Sequence, residues 1–212
     1  MKPLIQAIHQ ITAHLHHRGV TLVLIAALAI LCTGCPKSVC KQGSVDMEPP
    51  TFPLGKNFNA TGPFYNDGSG LAASIVAITL PSGATFFNNA TVVDGTNLSF
   101  GTHQVLRMNN VVLNFDLKQG TRTAQFDYYD QGGTINLGAG SGNVPYTGNM
   151  YVMPATQVMG AVIITKVNPR DIKNPQGIKI GEMGTILIKS ATDLGGMKIG
   201  GQELYVDNFC FN

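Results

Sequence analysis

Residues 111–128, VVLNFDLKQGTRTAQFDY, carry the clearest structural signal in this chain of 212 residues. Apolar side chains alternate with more polar ones on both sides of a turn at residues 118–121, as in strands that bury one face. The alternating apolar residues are Val111, Leu113, Phe115, Leu117, Ala124, Phe126 and Tyr128. The pattern predicts two strands, and the short turn between them predicts that they pair as a β-hairpin.

Similar strand patterns recur along the chain, separated by glycine- and proline-containing turns. They cover residues 74–80, 85–93, 134–137, 161–167, 178–180, 185–189 and 204–211. The run 71–80 also fits a helical period, but its Ile, Val and Thr content favours a strand. Short strands without room for crossover helices predict an all-β fold, an antiparallel two-sheet β-sandwich that is jelly-roll-like.

The chain begins with a segment typical of export signals. Lys2 and Arg18 precede a run at 20–31 that is apolar apart from Thr21, and this run is shorter than the roughly 20 residues that a membrane-spanning helix needs. We therefore predict a cleaved signal over 1–34, a polar tether over 35–50 and a single domain over 51–212.

The end of this signal, Leu31-Cys32-Thr33-Gly34-Cys35, resembles the lipobox of bacterial lipoprotein signal peptides. The resemblance implies that Cys35 is acylated and anchors the mature protein, although Cys32 stands where the family usually has Leu. A C-x-x-C redox or zinc motif is the alternative, but no second ligand pair lies nearby. Pro36 follows in place of the Asp of inner-membrane lipoproteins, which implies the outer membrane in a Gram-negative host.

Removal of residues 1–34 leaves a chain without net charge. The signal contains two of the 14 basic residues, Lys2 and Arg18, and none of the 12 acidic ones, so 14 − 2 = 12 bases face 12 acids. Without a basic stretch, nucleic-acid binding is not expected. His103 is the one histidine left, and no pair of acids is recognisable as catalytic. We therefore predict a protein that is not an enzyme.

The closing segment 200–211, GGQELYVDNFCF, is similar to the last strand of jelly-roll carbohydrate-binding modules and galactose-binding-like domains. Met47-Glu48 and the run 52–55 are similar to their first strand. The resemblance implies glycan binding and a structural calcium ion held by Asp207 and Glu48, because the first and last strands are neighbours in this family. The alternative is that Asp207 accepts backbone hydrogen bonds at a bulge while Glu48 is exposed.

A disulfide follows from the two resemblances together. If Cys32 leaves with the signal and Cys35 carries lipid, then Cys40 and Cys210 remain. Neighbouring first and last strands would bring them together, and an exported protein meets an oxidising compartment.

Four residues are candidates for ligand contact: Tyr129, Asp130, Tyr146 and Tyr151. The first two end a predicted strand, and the other two lie in the glycine-rich stretch 138–153. The alternative is that Tyr128 belongs to the core and that Tyr129 and Asp130 merely begin a loop. Overall, we expect a lipid-anchored protein in the periplasm or at the cell surface that binds a glycan. The alternative is an assembly or adhesion protein of the envelope with a protein partner.

Overall fold

The computed structural model describes residues 40–98, 103–140 and 146–212. Within these ranges the chain is almost entirely β-structure, with two short 3-10 helices at Thr96–Leu98 and Met150–Val152. The strands are β1 (Gly43–Val45), β2 (Asn57–Phe58), β3 (Gly62–Asn66), β4 (Ala72–Thr79), β5 (Thr85–Phe86), β6 (Asn89–Asp94), β7 (Gln104–Asn109), β8 (Val111–Asp116), β9 (Thr123–Asp130), β10 (Ile135–Ala139), β11 (Tyr146–Gly148), β12 (Thr156–Met159), β13 (Val162–Lys173), β14 (Lys179–Ser190), β15 (Gly196–Gly201) and β16 (Leu204–Phe211). Neither helix has the length and apolar character to cross a membrane.

The strands form two antiparallel sheets that pack face to face. Sheet A has the order β12-β13-β14-β9-β16-β7-β6-β2, with β1 also paired to β16, and sheet B has the order β11-β10-β15-β8-β4-β3, with β5 paired to β4. Eight of these strands, in the orders β7-β16-β9-β14 and β8-β15-β10-β11, have the connectivity of a jelly roll. The predicted all-β, jelly-roll-like sandwich is confirmed.

The predicted hairpin between β8 and β9 is wrong. β8 pairs with β4 and β15 in sheet B, whereas β9 pairs with β14 and β16 in sheet A. The connection between them crosses from one sheet to the other around buried Thr121, whose hydroxyl donates to the Lys118 carbonyl at 2.7 Å. Each strand still turns its apolar face inward, because the two sheets share one core.

Aromatic rings from both sheets fill the centre of that core. Phe115 of sheet B lies 4.8 Å from Phe209 and 5.4 Å from Phe211 of sheet A, measured between ring centroids. Phe126 lies 5.3 Å from Phe209. All four side chains are fully buried, so removal of their apolar surface from water is a principal stabilising contribution.

Other strand predictions hold with changed boundaries. The run 71–80 contains strand β4, Ala72–Thr79, as predicted, and not a helix. The single strand predicted over 85–93 is divided into β5 and β6, which pair with different neighbours. The predicted strands at 161–167, 178–180 and 185–189 belong to one long hairpin of β13 and β14, whose turn is held by Asn174 accepting from the Gln176 and Ile178 amides.

The amino-terminal end of the described chain is part of the domain. β1 pairs with β16, Gly43 opposite Phe211 and Val45 opposite Phe209, and the Val45 side chain is buried. This part of the predicted tether therefore belongs to the domain, because residues 43–45 add a strand to sheet A and the Met47 side chain is buried. The predicted disulfide between Cys40 and Cys210 is confirmed, with a Cα–Cα distance of 5.2 Å. The predicted signal and Cys35 lie outside the described residues.

Candidate binding site

A pocket of about 250 Å³ lies at one end of sheet A, on the face turned away from sheet B. Its walls come from three parts of the chain: the second half of β7, the residue that follows β9, and the turn between β15 and β16 with the first residues of β16. The lining residues are Arg107, Met108, Asn109, Gln131, Gln202, Glu203 and Tyr205. Most of these side chains are polar, so the pocket suits a polar ligand.

The strand register explains why these residues meet. Tyr205 of β16 lies directly opposite Arg107 of β7 on one side and Tyr129 of β9 on the other. Leu204 and Val206 are buried in the core, so alternation along the strand turns Tyr205 to the outer face. The jelly-roll order, which places β16 between β7 and β9, thus builds one wall of the pocket.

Two tyrosine rings form an aromatic pair beside the pocket. The Tyr129 and Tyr205 rings pack edge to face with centroids 5.6 Å apart, and both side chains are half-buried. The Gln131 amide donates to the Glu203 carbonyl at 3.0 Å, which fixes the end of β9 against the start of β16. Aromatic surface and polar groups therefore lie next to one another on rigid strands.

The pocket contains polar groups that the described residues leave unused. Within those residues, neither the exposed guanidinium of Arg107 nor the exposed carboxylate of Glu203 forms an ion pair or a side-chain hydrogen bond. The Gln202 amide is oriented by the Thr134 N–H, which donates to its oxygen at 2.7 Å. The Asn109 oxygen accepts from the Asn110 side chain at 3.2 Å. Charged and amide groups are thus available to a ligand.

The structure separates the four predicted contact residues. Tyr129 lies beside the pocket on sheet A, whereas Tyr146 lies on β11 in sheet B and donates to the Asn149 carbonyl at 2.8 Å. Burial raises the pKa of Tyr146. Tyr151, with 37% of its surface exposed, lies on the second 3-10 helix, with the Lys179 ammonium 5.4 Å from its ring centroid. Only Tyr129 is therefore next to the pocket.

Asp130 has a different position from the predicted one. It is the last residue of β9, not the start of a loop, and its side chain is fully buried. The Gly132 amide donates to one carboxylate oxygen at 3.1 Å, while the other oxygen is buried without a partner in the described part of the chain. Burial raises the pKa of Asp130 to about 6. A surface ligand does not reach this carboxylate.

A buried ionic cluster, which the sequence did not reveal, occupies the same end of β9 and β14. Lys166 and Glu182 form an ion pair at 2.8 Å, with only 4% and 6% of their side chains exposed. The Tyr128 hydroxyl donates to the same Glu182 oxygen at 2.6 Å, and Lys179 pairs with the other oxygen at 3.2 Å. Burial, followed by the bond to Glu182, raises the pKa of Tyr128. The predicted core position of Tyr128 is confirmed.

Asp207 and Glu48 both bind backbone amides. The Met47 amide donates to buried Asp207 at 3.3 Å, and the His103 and Gln104 amides each donate to Glu48 at 3.0 Å. Among the described residues, no group of three or more His, Cys, Asp or Glu side chains could hold a metal ion. Calcium binding stays a prediction, to be tested by the effect of chelation on thermal unfolding.

None of the seven residues that line the pocket was predicted as a site residue. One signal could have identified Tyr205, since an aromatic residue alternating with Leu204 and Val206 must face outward. The other residues come from turns and strand ends, whose proximity depends on strand order. No protein-family model, curated protein or solved structure matches this chain.

Proposed function

We propose that this chain is a non-enzymatic, lipid-anchored binding protein of the cell envelope that holds a saccharide in the pocket beside Tyr205. The observation that carries the proposal is that the Tyr205 ring lines the same pocket as two charged side chains without an ion pair in the described residues, Arg107 and Glu203, and as the amide groups of Gln202 and Asn109. A sugar ring has an apolar face of C–H groups and a rim of hydroxyls. Tyr205 can pack on the face, while Glu203, Gln202 and Asn109 bind the hydroxyls.

The volume of the pocket limits the size of the ligand that it can enclose. Its volume of about 250 Å³ is just below the roughly 300–1,000 Å³ of typical small-molecule sites. We therefore expect one or two sugar units to be enclosed. A longer glycan would extend from the pocket along the outer face of sheet A, where Tyr129 lies.

A glycan array with the purified full chain tests sugar binding. We expect retained glycans to bind at least about tenfold more weakly to Tyr205→Ala, a loss of about 1.4 kcal/mol. Tyr151→Ala is the matched control, because Tyr151 is a partly exposed tyrosine on a different element and should bind like the wild type. A blank array, or equal losses in both variants, would refute sugar binding in this pocket.

The lipid anchor is proposed from the lipobox-like stretch alone, because Cys35 lies outside the described residues. Labelling cells with a fatty-acid analogue should mark the wild type and Cys32→Ser but not Cys35→Ser. Label that persists in Cys35→Ser would refute the anchor. The same cells, fractionated into inner and outer membrane, test the proposed outer-membrane location.

A second candidate function is assembly with a protein partner in the envelope. It is favoured by two exposed apolar residues that lie directly opposite each other near the edge of sheet A, Val158 on β12 and Ile163 on β13. Their exposed fractions are 64% and 45%. If this edge packs against another protein, Val158→Ser combined with Ile163→Ser should abolish cross-linking in cells while leaving glycan binding unchanged. Unchanged cross-linking would count against the assembly function.

A further inference from the structure

We infer that the pocket selects an acidic sugar, one that carries a carboxylate as hexuronic acids do, and that Arg107 binds this carboxylate. The inference rests on the proposed function, since it names the class of saccharide that the same pocket takes. It goes further by assigning the charge of the ligand and the residue that recognises it.

Arg107 places a positive charge in the wall of the pocket. Its neighbours Leu106 and Met108 are fully buried in the core, and its strand pairs with both β6 and β16, so its backbone is held firmly. No carboxylate among the described residues lies within ion-pair distance of its guanidinium. A guanidinium presents parallel N–H groups that match the two oxygens of a carboxylate. A ligand carboxylate is therefore its natural partner.

The amide groups of the pocket add further hydrogen-bond donors. The Gln202 oxygen already accepts from Thr134, and the Asn109 oxygen accepts from Asn110. Both side chains consequently have their NH₂ groups left to offer. Together with Arg107 they make the pocket rich in donors, and the complementary ligand is rich in acceptors. An acidic sugar meets this requirement better than a neutral or a cationic one.

Glu203 adds a negative charge to the pocket that contains the positive charge of Arg107. Its carboxylate lines the same pocket but is farther than ion-pair distance from Arg107. A carboxylate accepts hydrogen bonds and repels a negative ligand group, so Glu203 favours sugar hydroxyls at its end. We expect the sugar to lie with its carboxylate at Arg107, its hydroxyls at Glu203 and one face on Tyr205.

Calorimetric titration of the purified full chain with matched sugars tests this inference. Glucuronate and glucose differ only in whether C6 is a carboxylate or a hydroxymethyl group, and galacturonate and galactose form a second pair. We expect the wild type to bind each uronate at least about tenfold more tightly than its neutral partner, and added salt to reduce this preference. Arg107→Gln should lose the preference. Because the Arg107 guanidinium forms no ion pair in the described chain, the melting temperature of Arg107→Gln should stay close to that of the wild type.

Arg122→Gln is the matched control. Arg122 is also exposed, directly precedes the opposite end of β9 and lies about 30 Å along the strand from Gln131. The Arg122→Gln variant loses the same charge as Arg107→Gln but should keep the preference for uronates. Equal affinities of the wild type for glucuronate and glucose, both lost in Tyr205→Ala, would overturn the acidic-sugar inference and leave saccharide binding intact. A preference that survives in Arg107→Gln would overturn the role of Arg107. Absence of binding by any sugar, together with a blank array, would overturn both proposals.

Discussion

Asp130 is an acid in a place where a folded protein normally has an apolar residue. It continues the inward-facing series of Ala124, Phe126 and Tyr128 on β9, and its side chain is fully buried. Alternation alone would have placed it inside, but an acid at the end of a strand is more typical of a loop. The sequence predicted the position of Tyr128 and not that of Asp130, because burial of a carboxylate costs free energy that a pattern of apolar residues does not report.

The pKa of Asp130 makes stability depend on pH. Burial is the main cause that raises this pKa from 3.8 to about 6, and the charges of Glu182 and Glu203 contribute in the same direction. A carboxyl group with a higher pKa in the folded state binds more protons there, so stability falls as pH rises from about 4 to about 6. Below that window the group is neutral in both states. Above about pH 6 the carboxyl group is ionised in both the folded and the unfolded state, and its burial then lowers the free energy of unfolding by the full amount of about 3 kcal/mol.

We therefore predict a pH-dependent difference between the wild type and Asp130→Asn. Asparagine keeps an acceptor for the Gly132 amide and cannot ionise. The free energy of unfolding in urea should be higher for the variant at about pH 7, by on the order of 3 kcal/mol, and this difference should shrink to about 0.5 kcal/mol near pH 4. Parallel curves for the two proteins across this range would contradict the assignment.

At the scale of elements, β8 and β9 show what alternation can and cannot predict. The apolar residues of both strands were assigned to the buried side correctly, because each strand buries one face. A hairpin and a crossing between two facing sheets produce the same alternation, so the pairing was not determined. What decides it is the wider strand order, in which β15 and β16 pair with β8 and β9 respectively. β15 and β16 lie about 80 residues farther along the chain than the strands with which they pair.

The Lys166–Glu182 pair joins the two strands of the long β13–β14 hairpin. A buried ion pair contributes little net stability compared with apolar residues, but loss of one partner leaves an unpaired charge in a poorly solvated place. Glu182 accepts from two further donors, Tyr128 and Lys179, whereas Lys166 also donates to the Met150 carbonyl at 3.0 Å. Removal of Lys166 therefore leaves Glu182 with two hydrogen-bond donors. Removal of Glu182 leaves the Lys166 ammonium without a carboxylate partner among the described residues.

We predict that Glu182→Gln destabilises the protein by about 3 kcal/mol and that Lys166→Met costs less. The double variant should be more stable than Glu182→Gln alone, because it removes the unpaired ammonium as well. Urea unfolding of the wild type, both single variants and the double variant forms a complete cycle. Simple addition of the two single effects would show that the pair is not coupled.

At the scale of the whole molecule, the pocket exists because the jelly roll brings distant segments together. Arg107 and Tyr205 are almost 100 residues apart in the chain, yet they lie opposite each other on paired strands. Their residue types were visible in the sequence, and the outward direction of Tyr205 was inferable from its neighbours. Their proximity was not, because it depends on which strands pair. For that reason the sandwich could be predicted in outline, whereas the pocket required the strand order.

The Cys40–Cys210 disulfide closes nearly the whole described domain into one covalent loop, since its two cysteines are separated by 170 residues. In the chain-entropy model such a loop restricts the unfolded chain enough to stabilise the folded state by about 5 kcal/mol. The bond also holds the chain just before β1 to the end of β16, the central strand that carries Tyr205. Loss of the disulfide should therefore lower global stability and loosen β1 first.

We predict that the variant with Cys40→Ser and Cys210→Ser unfolds in urea with a free energy about 4 to 5 kcal/mol lower than that of the oxidised wild type. Replacing both cysteines leaves neither of them as an unpaired thiol. Reductant should lower the stability of the wild type to a similar degree and leave the variant unchanged. Hydrogen exchange adds a local readout, because the amides of residues 43–45 should lose protection before those of β9. Equal stability of the two proteins would mean that the pairing of β1 with β16, and not the covalent bond, holds the two ends together.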